Sequence, residues 1–167
     1  MLLSELLYTL NHSAQVRGLV TLGQELFVLL DGSDTIRVYD TSRPDHALVR
    51  NISVPGLSSG EDMAACSSQQ ALYIVDWDTN YVYRVGRDND VTKWQRPLPR
   101  QPSGLSVDSS SCSVTVAYYH NNSIQEFSDT GLPGPRIQLN ISRPVDAVRL
   151  SDGRYVVSHG YNPGGVV

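Results

Sequence analysis

Three observations predict an all-β protein with the architecture of a β-propeller. The sequence repeats about every 42 residues, since the equivalent positions Gly18, Asp62, Gly104 and Asp146 follow one another at steps of 44, 42 and 42 residues. Each repeat contains short apolar segments separated by polar turns, with no helical periodicity between them. Units of four short strands bury their faces only against neighbouring units, which is how a propeller is built. We therefore expect about four blades of four-stranded antiparallel sheets.

Each repeat begins with a short apolar strand and a polar turn. A second strand follows that is apolar on both faces, in the successive repeats LFVLL, LYIVD, VTVAY and YVVSH. After a turn rich in Asp, Asn and Gly comes a third strand, such as residues 36–39, that alternates with period two. A weaker fourth strand is predicted at residues 47–54, 91–94 and 136–139. Strands that are apolar on both sides belong between blades, and alternating strands belong nearer the rim.

The repeats divide the chain into blades at residues 14–57, 58–99 and 100–142, with a partial fourth blade at residues 143–167. Residues 1–13 precede the first blade, and their apolar positions are Leu2, Leu3, Leu6 and Leu7. These leucines fit the last strand of a preceding blade, which we favour, or a short amphipathic helix. Because the fourth repeat stops before its third strand, we expect a fragment of a larger ring.

The segments LYIVDWDTNYVYRV and VTVAYYHNNSIQEFS resemble NHL repeats, which join an apolar strand, an acidic residue, a turn with Asn and an Ile/Val-x-x-Phe/Val strand. The best matches in the second repeat are Asp76, Asn80, Val82, Arg84 and Val85. The first repeat has Asp34 and Thr35 where the turn asparagine is usual, and the third has Tyr118 in place of the acid. The resemblance extends over residues 14–160.

The NHL resemblance implies a six-bladed ring, in which the missing blades come from the same chain or from a neighbouring copy. Many NHL-like propellers stand at the C terminus of tripartite-motif ubiquitin ligases and select a substrate protein or RNA. The chain shows none of the Cys/His pattern of the ligase modules. The resemblance therefore implies a binding scaffold whose partner is a protein, with RNA as a second option.

The composition excludes several classes of protein. A share of 40% hydrophobic and 18% charged residues is typical of a chain that folds. The net charge of −4 argues against broad, sequence-independent nucleic-acid binding, which needs a basic surface. The apolar runs are far shorter than the ~18 residues that indicate a membrane span, so no membrane partner is expected.

No residue spacing predicts catalysis or a metal site. The four histidines, His12, His46, His120 and His159, lie outside any HxxxH or HExxH spacing, the chain has no CxxC, and no trio of Ser, His and an acidic residue is identifiable from spacing. We expect a non-enzymatic protein without a metal or cofactor. The enzymatic alternative is a calcium-dependent lactonase or esterase-like propeller, with carboxylate and amide ligands at Asp62, Asp76, Asp146, Asn80 and Asn121. Asp and Asn in turns more commonly bind backbone amides.

The turns between second and third strands form the predicted binding surface. All four turns should fall on one face of the propeller and add aromatic rings beside polar groups, a composition favoured at binding hot spots. The surface comprises Asp76, Trp77, Tyr118, Tyr119, His120, His159 and Tyr161. The same rings could instead pack between adjacent blades, and the histidines are expected to face solvent.

A possible RNA patch lies on the densest basic run of the chain. It comprises Arg84, Arg87 and Arg100, and Trp94 offers a ring for base stacking. Because Asp88 and Asp90 lie in the same run, a solvated outer strand is favoured over an RNA groove.

Signals for the compartment conflict. The N terminus lacks a basic region before its apolar residues, which argues against a secretory signal and slightly favours the cytoplasm. Four Asn-x-Ser sequons, at Asn11, Asn51, Asn121 and Asn140, exceed the one or two expected by chance and fit an extracellular protein. Cys66 and Cys112 lie near the first turns of neighbouring repeats and could meet, although free, partly buried thiols are the default expectation.

Overall fold

The computed structural model describes residues 14–99, 101–160 and 165–166, and these residues form four antiparallel sheets. The predicted all-β fold is confirmed for this part of the chain. The N-terminal leucines lie outside it, as do Arg100 and Tyr161. Among the described residues, no helix is long and apolar enough to cross a membrane.

Each sheet contains consecutive strands in chain order, so each repeat forms one blade. Blade 1 contains β1 (Val16–Leu22), β2 (Glu25–Leu30), β3 (Thr35–Asp40) and β4 (Leu48–Ser53). Blade 2 contains β5 (Gly60–Cys66), β6 (Ala71–Asp76), β7 (Val82–Val85) and β8 (Val91–Lys93). Blade 3 contains β9 (Pro102–Val107), β10 (Val114–Tyr118), β11 (Ser123–Phe127) and β12 (Pro133–Gln138). Blade 4 contains β13 (Pro144–Arg149), β14 (Tyr155–His159) and β15 (Gly165–Val166).

The first strands of successive blades contact one another, β1 with β5, β5 with β9 and β9 with β13. The second strands are the most buried. Every residue of β6 and β10 is buried, as expected for strands that are apolar on both faces and covered by a blade on each side. By contrast, β12 is exposed along its whole length and forms the outer edge of its blade.

Three apolar clusters fill the spaces between blades. The cluster between blades 1 and 2 includes Phe27, Leu29, Leu72 and Tyr83. The cluster between blades 2 and 3 includes Tyr73, Val75, Trp94, Val116 and Tyr118. The cluster between blades 3 and 4 is small and contains Ala117, Ile124, Ala147 and Val157. Burial therefore depends on the neighbouring blade, as the repeat pattern predicts.

The two cysteines form a disulfide that joins blades 2 and 3, which corrects the expectation of free thiols. Cys66 ends β5, and Cys112 lies in the turn before β10, with 5.5 Å between their Cα atoms. Cys112 adopts a left-handed backbone with a φ of 56°. Blade 2 has Gln70, also left-handed, as the last residue of its equivalent turn. The two turns therefore share one backbone shape, and only blade 3 has a thiol there.

In blades 2 and 3, an asparagine in the turn between the second and third strands fastens the blade to the next one. The Asn80 side-chain oxygen accepts the backbone N–H of Gln101, at 2.9 Å, and that of Asn122 accepts the N–H of Arg143, at 3.0 Å. Both asparagines have positive φ, a conformation that Asn adopts more readily than most residues. Blade 1 has Asp34 at this position, and its carboxylate accepts the Thr35 hydroxyl instead.

Candidate functional site

The turn face is formed by the turns that follow β2, β6 and β10. Because each blade repeats the same strand order, these turns lie at the same end of their sheets. The connectors into β5, β9 and β13 reach this end as well, since backbone bonds join Trp77 to Ser59 and Gly160 to Arg143. Five of the predicted surface residues lie in or beside these turns, namely Asp76, Trp77, Tyr118, Tyr119 and His120.

Asp76 shapes its turn from the interior and is fully buried, so it does not belong to the exposed surface as predicted. One carboxylate oxygen accepts the backbone N–H groups of Asp78 and Thr79, both at 2.9 Å. The other accepts the N–H of Ser58 at 2.7 Å, on the connector from blade 1. Asp76 thus holds the loop that presents Trp77.

Tyr118 is also fully buried, which removes it from the predicted binding surface. Its ring packs in the cluster between blades 2 and 3, and its hydroxyl has no hydrogen-bond partner within the described structure. Burial raises the pKa of this phenol well above its usual value, although the nearby Arg136 guanidinium opposes the shift. Tyr118 therefore acts as a core residue, and the neighbouring Tyr119 takes the surface position.

Trp77, Tyr119, His120 and Arg143 form a continuous ridge, which we call the aromatic ridge. The rings of Trp77 and Tyr119 meet edge to face with centroids 6.5 Å apart, and those of Tyr119 and His120 are 4.8 Å apart. The Arg143 guanidinium lies 5.8 Å from the Tyr119 centroid, in the range of a cation–π contact. His120 is exposed, while Trp77 and Tyr119 are half-buried. The ridge therefore combines residues of blades 2 and 3 with the entry into blade 4.

Polar groups flank Trp77 on both sides. One depression of about 300 Å³ is lined by Arg17, Ser59, Glu61 and Trp77. A second, of about 320 Å³, is lined by Trp77, Asp78, Asn80 and Gln101. Trp77 thus stands between two shallow, polar recesses, which suits a surface that buries a ring beside hydrogen-bonding groups.

An ion-pair network forms the floor of the first recess. Arg17 contacts Asp31 at 2.9 Å and Glu61 at 3.4 Å. Partial burial raises the pKa of the Glu61 carboxyl, and the Arg17 charge opposes this shift. The sequence prediction missed Arg17, Glu61 and Arg143. The first two precede the equivalent positions Gly18 and Asp62, so the repeat register could have indicated them.

His159 lies apart from the ridge. It is half-buried at the end of β14, where it pairs with Pro144. The neighbouring Gly160 donates its N–H to the carbonyl of Arg143, so this strand end lies beside the ridge arginine. Tyr161 lies outside the described residues.

The carboxylates considered for calcium are engaged by the backbone. Asp62 accepts the N–H groups of Met63 at 2.8 Å and Leu105 at 3.0 Å, and Asp146 accepts that of Ala147 at 2.7 Å. Burial raises the pKa of Asp62 to about 7, and the charge of Asp146 adds to this effect. Within the described residues, no group of three or more His, Cys, Asp or Glu side chains is arranged to hold a metal ion.

The basic run does not present Trp94 for stacking. Trp94 is buried, packs on Phe127 with centroids 5.3 Å apart, and donates its indole N–H to the Asp129 carbonyl. Arg84 lies 3.9 Å from the Asp90 carboxylate, while Arg87 is exposed. The structure therefore describes two of the three arginines in the predicted RNA patch, Arg84 and Arg87. The aromatic ring predicted for base stacking, that of Trp94, is buried and does not accompany them.

No family model and no curated protein matches the sequence. Solved structures do resemble the fold. Hydrazine synthase of Kuenenia stuttgartiensis matches with a TM-score of 0.75 and 13% identity, over 96% of this chain and 48% of that one. Virginiamycin B lyase from Staphylococcus aureus matches with a TM-score of 0.69 and 13% identity, over 94% and 56%. A chain of the nidogen/laminin complex matches with a TM-score of 0.74 and 12% identity, over 93% and 61%.

These identities are low enough that the likeness concerns the fold alone. The chain spans about half the length of the solved structures that it matches. Enzymes and a binding protein occur among them, so the fold by itself does not distinguish the two roles. The four sheets, their radial contacts and these neighbours together identify the chain as part of a β-propeller.

Proposed function

We propose that this chain is part of a non-enzymatic, NHL-like, six-bladed propeller that binds a protein partner through the aromatic ridge. The observation that carries the proposal is the ridge itself, in which Trp77, Tyr119 and Arg143 of successive blades meet on one face. Trp, Tyr and Arg are the residue types most enriched at the energetic centres of protein interfaces.

The ridge suits binding because its backbone is already ordered. Asp76 holds the turn that contains Trp77 by accepting three backbone N–H groups, and Asn122 accepts the N–H of Arg143. A partner would therefore immobilise few flexible groups, which lowers the entropic cost of association. The nidogen/laminin neighbour supports this role by analogy, since that structure is a complex between proteins.

The face of blade 4 that points away from blade 3 supports a ring with further blades. Val148 is 49% exposed on a strand whose counterparts in blades 1 to 3 are covered by the following blade. We expect a further blade to cover it, from the same chain or a neighbouring copy.

The binding test uses the tagged full chain to capture proteins from a ribonuclease-treated extract of its own organism. A retained protein is then purified, and its Kd is measured for the wild type, Trp77→Ala, Tyr119→Ala and Leu132→Ala. Leu132 is the matched control, because it is 70% exposed and lies in the β11–β12 turn, at the other end of blade 3.

We expect each ridge variant to raise the Kd at least about 10-fold, as truncation of a hot-spot ring does, and Leu132→Ala to leave it unchanged. Thermal unfolding of each variant confirms that the fold is retained. An unchanged Kd in both ridge variants would contradict the proposed surface. Proteins that are retained from an untreated extract but not from the ribonuclease-treated one would replace the protein partner with RNA.

A further inference from the structure

The asparagines of this chain divide into two groups according to their sequence context. The chain has eight, and the four at Asn11, Asn51, Asn121 and Asn140 are followed two positions later by serine, with no proline between. Ser and Thr together make up roughly one residue in six, so about one sequon is expected by chance. Four sequons therefore exceed the number expected by chance.

The three described asparagines outside sequons each have a structural role. Asn80 and Asn122 accept backbone N–H groups from the next blade, and Asn89 adopts a left-handed turn with a φ of 61°. Within the described structure, the side-chain amides of Asn51, Asn121 and Asn140 make no hydrogen bond. The contrast is sharpest at adjacent residues, since Asn122 fastens blade 4 while the Asn121 amide is unused. The fold therefore leaves these three sequon amides available.

Accessibility distinguishes the three sequons. Asn51 and Ser53 lie two residues apart on β4, so their side chains point to the same face, and both are exposed. Asn140 and Ser142 are both exposed in the connector that follows β12. The Ser123 hydroxyl of the Asn121 sequon is buried and accepts the Arg136 guanidinium. Two sequons thus stay open in the folded protein.

The disulfide gives an independent indication of the compartment. Cys66 and Cys112 are bonded across two blades, and such bonds form and persist in oxidising environments such as the secretory route and the cell exterior. The same compartments contain the machinery that glycosylates sequons. Two unrelated kinds of residue therefore point to the same environment.

We propose that Asn51 and Asn140 carry N-linked oligosaccharides and that the protein matures in the oxidising secretory route. In each attachment, Nδ2 of the asparagine bonds to the anomeric carbon of a diphosphate-activated oligosaccharide. The bond from that carbon to the diphosphate oxygen breaks, the lipid diphosphate leaves, and Nδ2 loses one proton. This environment differs from the cytoplasm that the N-terminal sequence slightly favours.

The test examines the natural full-length protein isolated from its organism under non-reducing conditions. Enzymatic removal of N-glycans in ¹⁸O-labelled water converts each modified asparagine into labelled aspartate, which peptide mass spectrometry locates. We expect the label at positions 51 and 140 and a peptide pair joined through Cys66 and Cys112. Unlabelled asparagine at both positions, or Cys66 and Cys112 recovered as free thiols, would overturn the proposal.

Variants assign each site. The full chain is expressed behind a cleavable secretory signal in animal cells, and the number of glycans is measured by intact mass. Asn51→Gln and Ser53→Ala should each remove the same glycan, whereas Ser53→Thr should keep it. Asn140→Gln and Ser142→Ala should remove the other. Asn89→Gln is the matched control, because it changes an exposed asparagine outside any sequon. A glycan number that none of the sequon variants changes would contradict the assignment.

Discussion

Blade 3 meets its two neighbours in different ways. Against blade 2 it packs large side chains, among them Tyr73, Trp94 and Tyr118, and a disulfide joins the two blades. Against blade 4 only four apolar side chains are buried in the described structure, two of them alanines, and hydroxyl groups cross the interface. Ser103 donates to the Pro144 carbonyl at 2.8 Å, and Ser106 donates to that of Ala147 at 2.5 Å.

The difference shows that a blade can pack against its neighbour in two ways. Large side chains can fill the interface, or the two backbones can approach each other closely. At Gly104, an added Cβ would overlap the Val145 carbonyl oxygen, so blades 3 and 4 lie too close for a side chain there. Between blades 2 and 3, large side chains fill the interface and supply apolar burial instead. The interface between blades 2 and 3 should therefore respond most to lost volume, and that between blades 3 and 4 to added volume.

The largest expected effect is the truncation of Tyr118. Tyr118→Ala should lower the free energy of unfolding by about 3–5 kcal/mol, because it removes a fully buried ring from the cluster between blades 2 and 3. Urea denaturation of the full chain measures this loss. Tyr118→Phe is the control and should be neutral or slightly stabilising, since the hydroxyl has no partner within the described structure. If Tyr118→Ala lowered the free energy of unfolding less than Val157→Ala does, the interface between blades 3 and 4 would be the one that responds more to lost volume, and the comparison would be reversed.

The disulfide should give the next largest effect. Reduction, or the double change Cys66→Ala and Cys112→Ala, should cost about 2–4 kcal/mol, because the bond closes a long loop between residues 46 apart and limits the unfolded chain. Urea denaturation with and without reductant measures the cost. The double variant should not respond to reductant. Equal stability of the oxidised and reduced wild type would show that the link adds nothing to the packing.

Gly104→Ala tests the close approach of blades 3 and 4. The added carbon should cost about 1–3 kcal/mol, because backbone atoms of blade 4 must shift to admit it. Gly134→Ala on the exposed strand β12 is the matched control, since its nearest neighbouring atom would be 3.3 Å away. Thermal unfolding compares the two. Similar melting temperatures for both variants would mean that the interface can widen without strain.

The smallest predicted effect depends on pH and concerns Asp62, whose oxygen accepts the Leu105 N–H across blades 2 and 3. Burial raises its pKa to about 7, so between pH 4 and 7 the folded protein binds this proton more tightly than the unfolded chain. Stability should therefore fall as the pH rises through this window, by on the order of 2 kcal/mol. Urea denaturation at pH 5 and pH 7.5 measures the change, and Asp62→Asn should reduce it. The same pH dependence in wild type and variant would exclude Asp62 as its source.

Much of the fold follows from the sequence because period and polarity determine strands locally. The run ALYIVD is apolar on both faces, and all six residues of β6 are buried. Side-chain placement at strand ends is harder to predict. Tyr118 and Tyr119 are adjacent aromatics, but Tyr118 ends a strand and points into the core while Tyr119 begins the turn. Composition alone does not distinguish them.

Contacts between blades could not be predicted from the sequence, since they depend on how neighbouring repeats align. The Cys66–Cys112 bond needs the end of β5 to meet the first turn of blade 3. Arg143 precedes a proline in a connector and gave no signal of its own, although it stacks on Tyr119. The ridge forms only because turns and connectors of three blades lie side by side.

The turn asparagines have a consequence for how such a protein grows by tandem gene duplication. Asn80 and Asn122 each hold the first residues of the following blade, so the copied segment already carries the group that attaches its successor. A new unit therefore needs no compensating change elsewhere to be anchored at this point. Blade 1, where Asp34 occupies the equivalent position, lacks this group, and Asp76 of blade 2 binds Ser58 of the connector instead. At this junction the anchoring group therefore belongs to the following unit rather than to the preceding one.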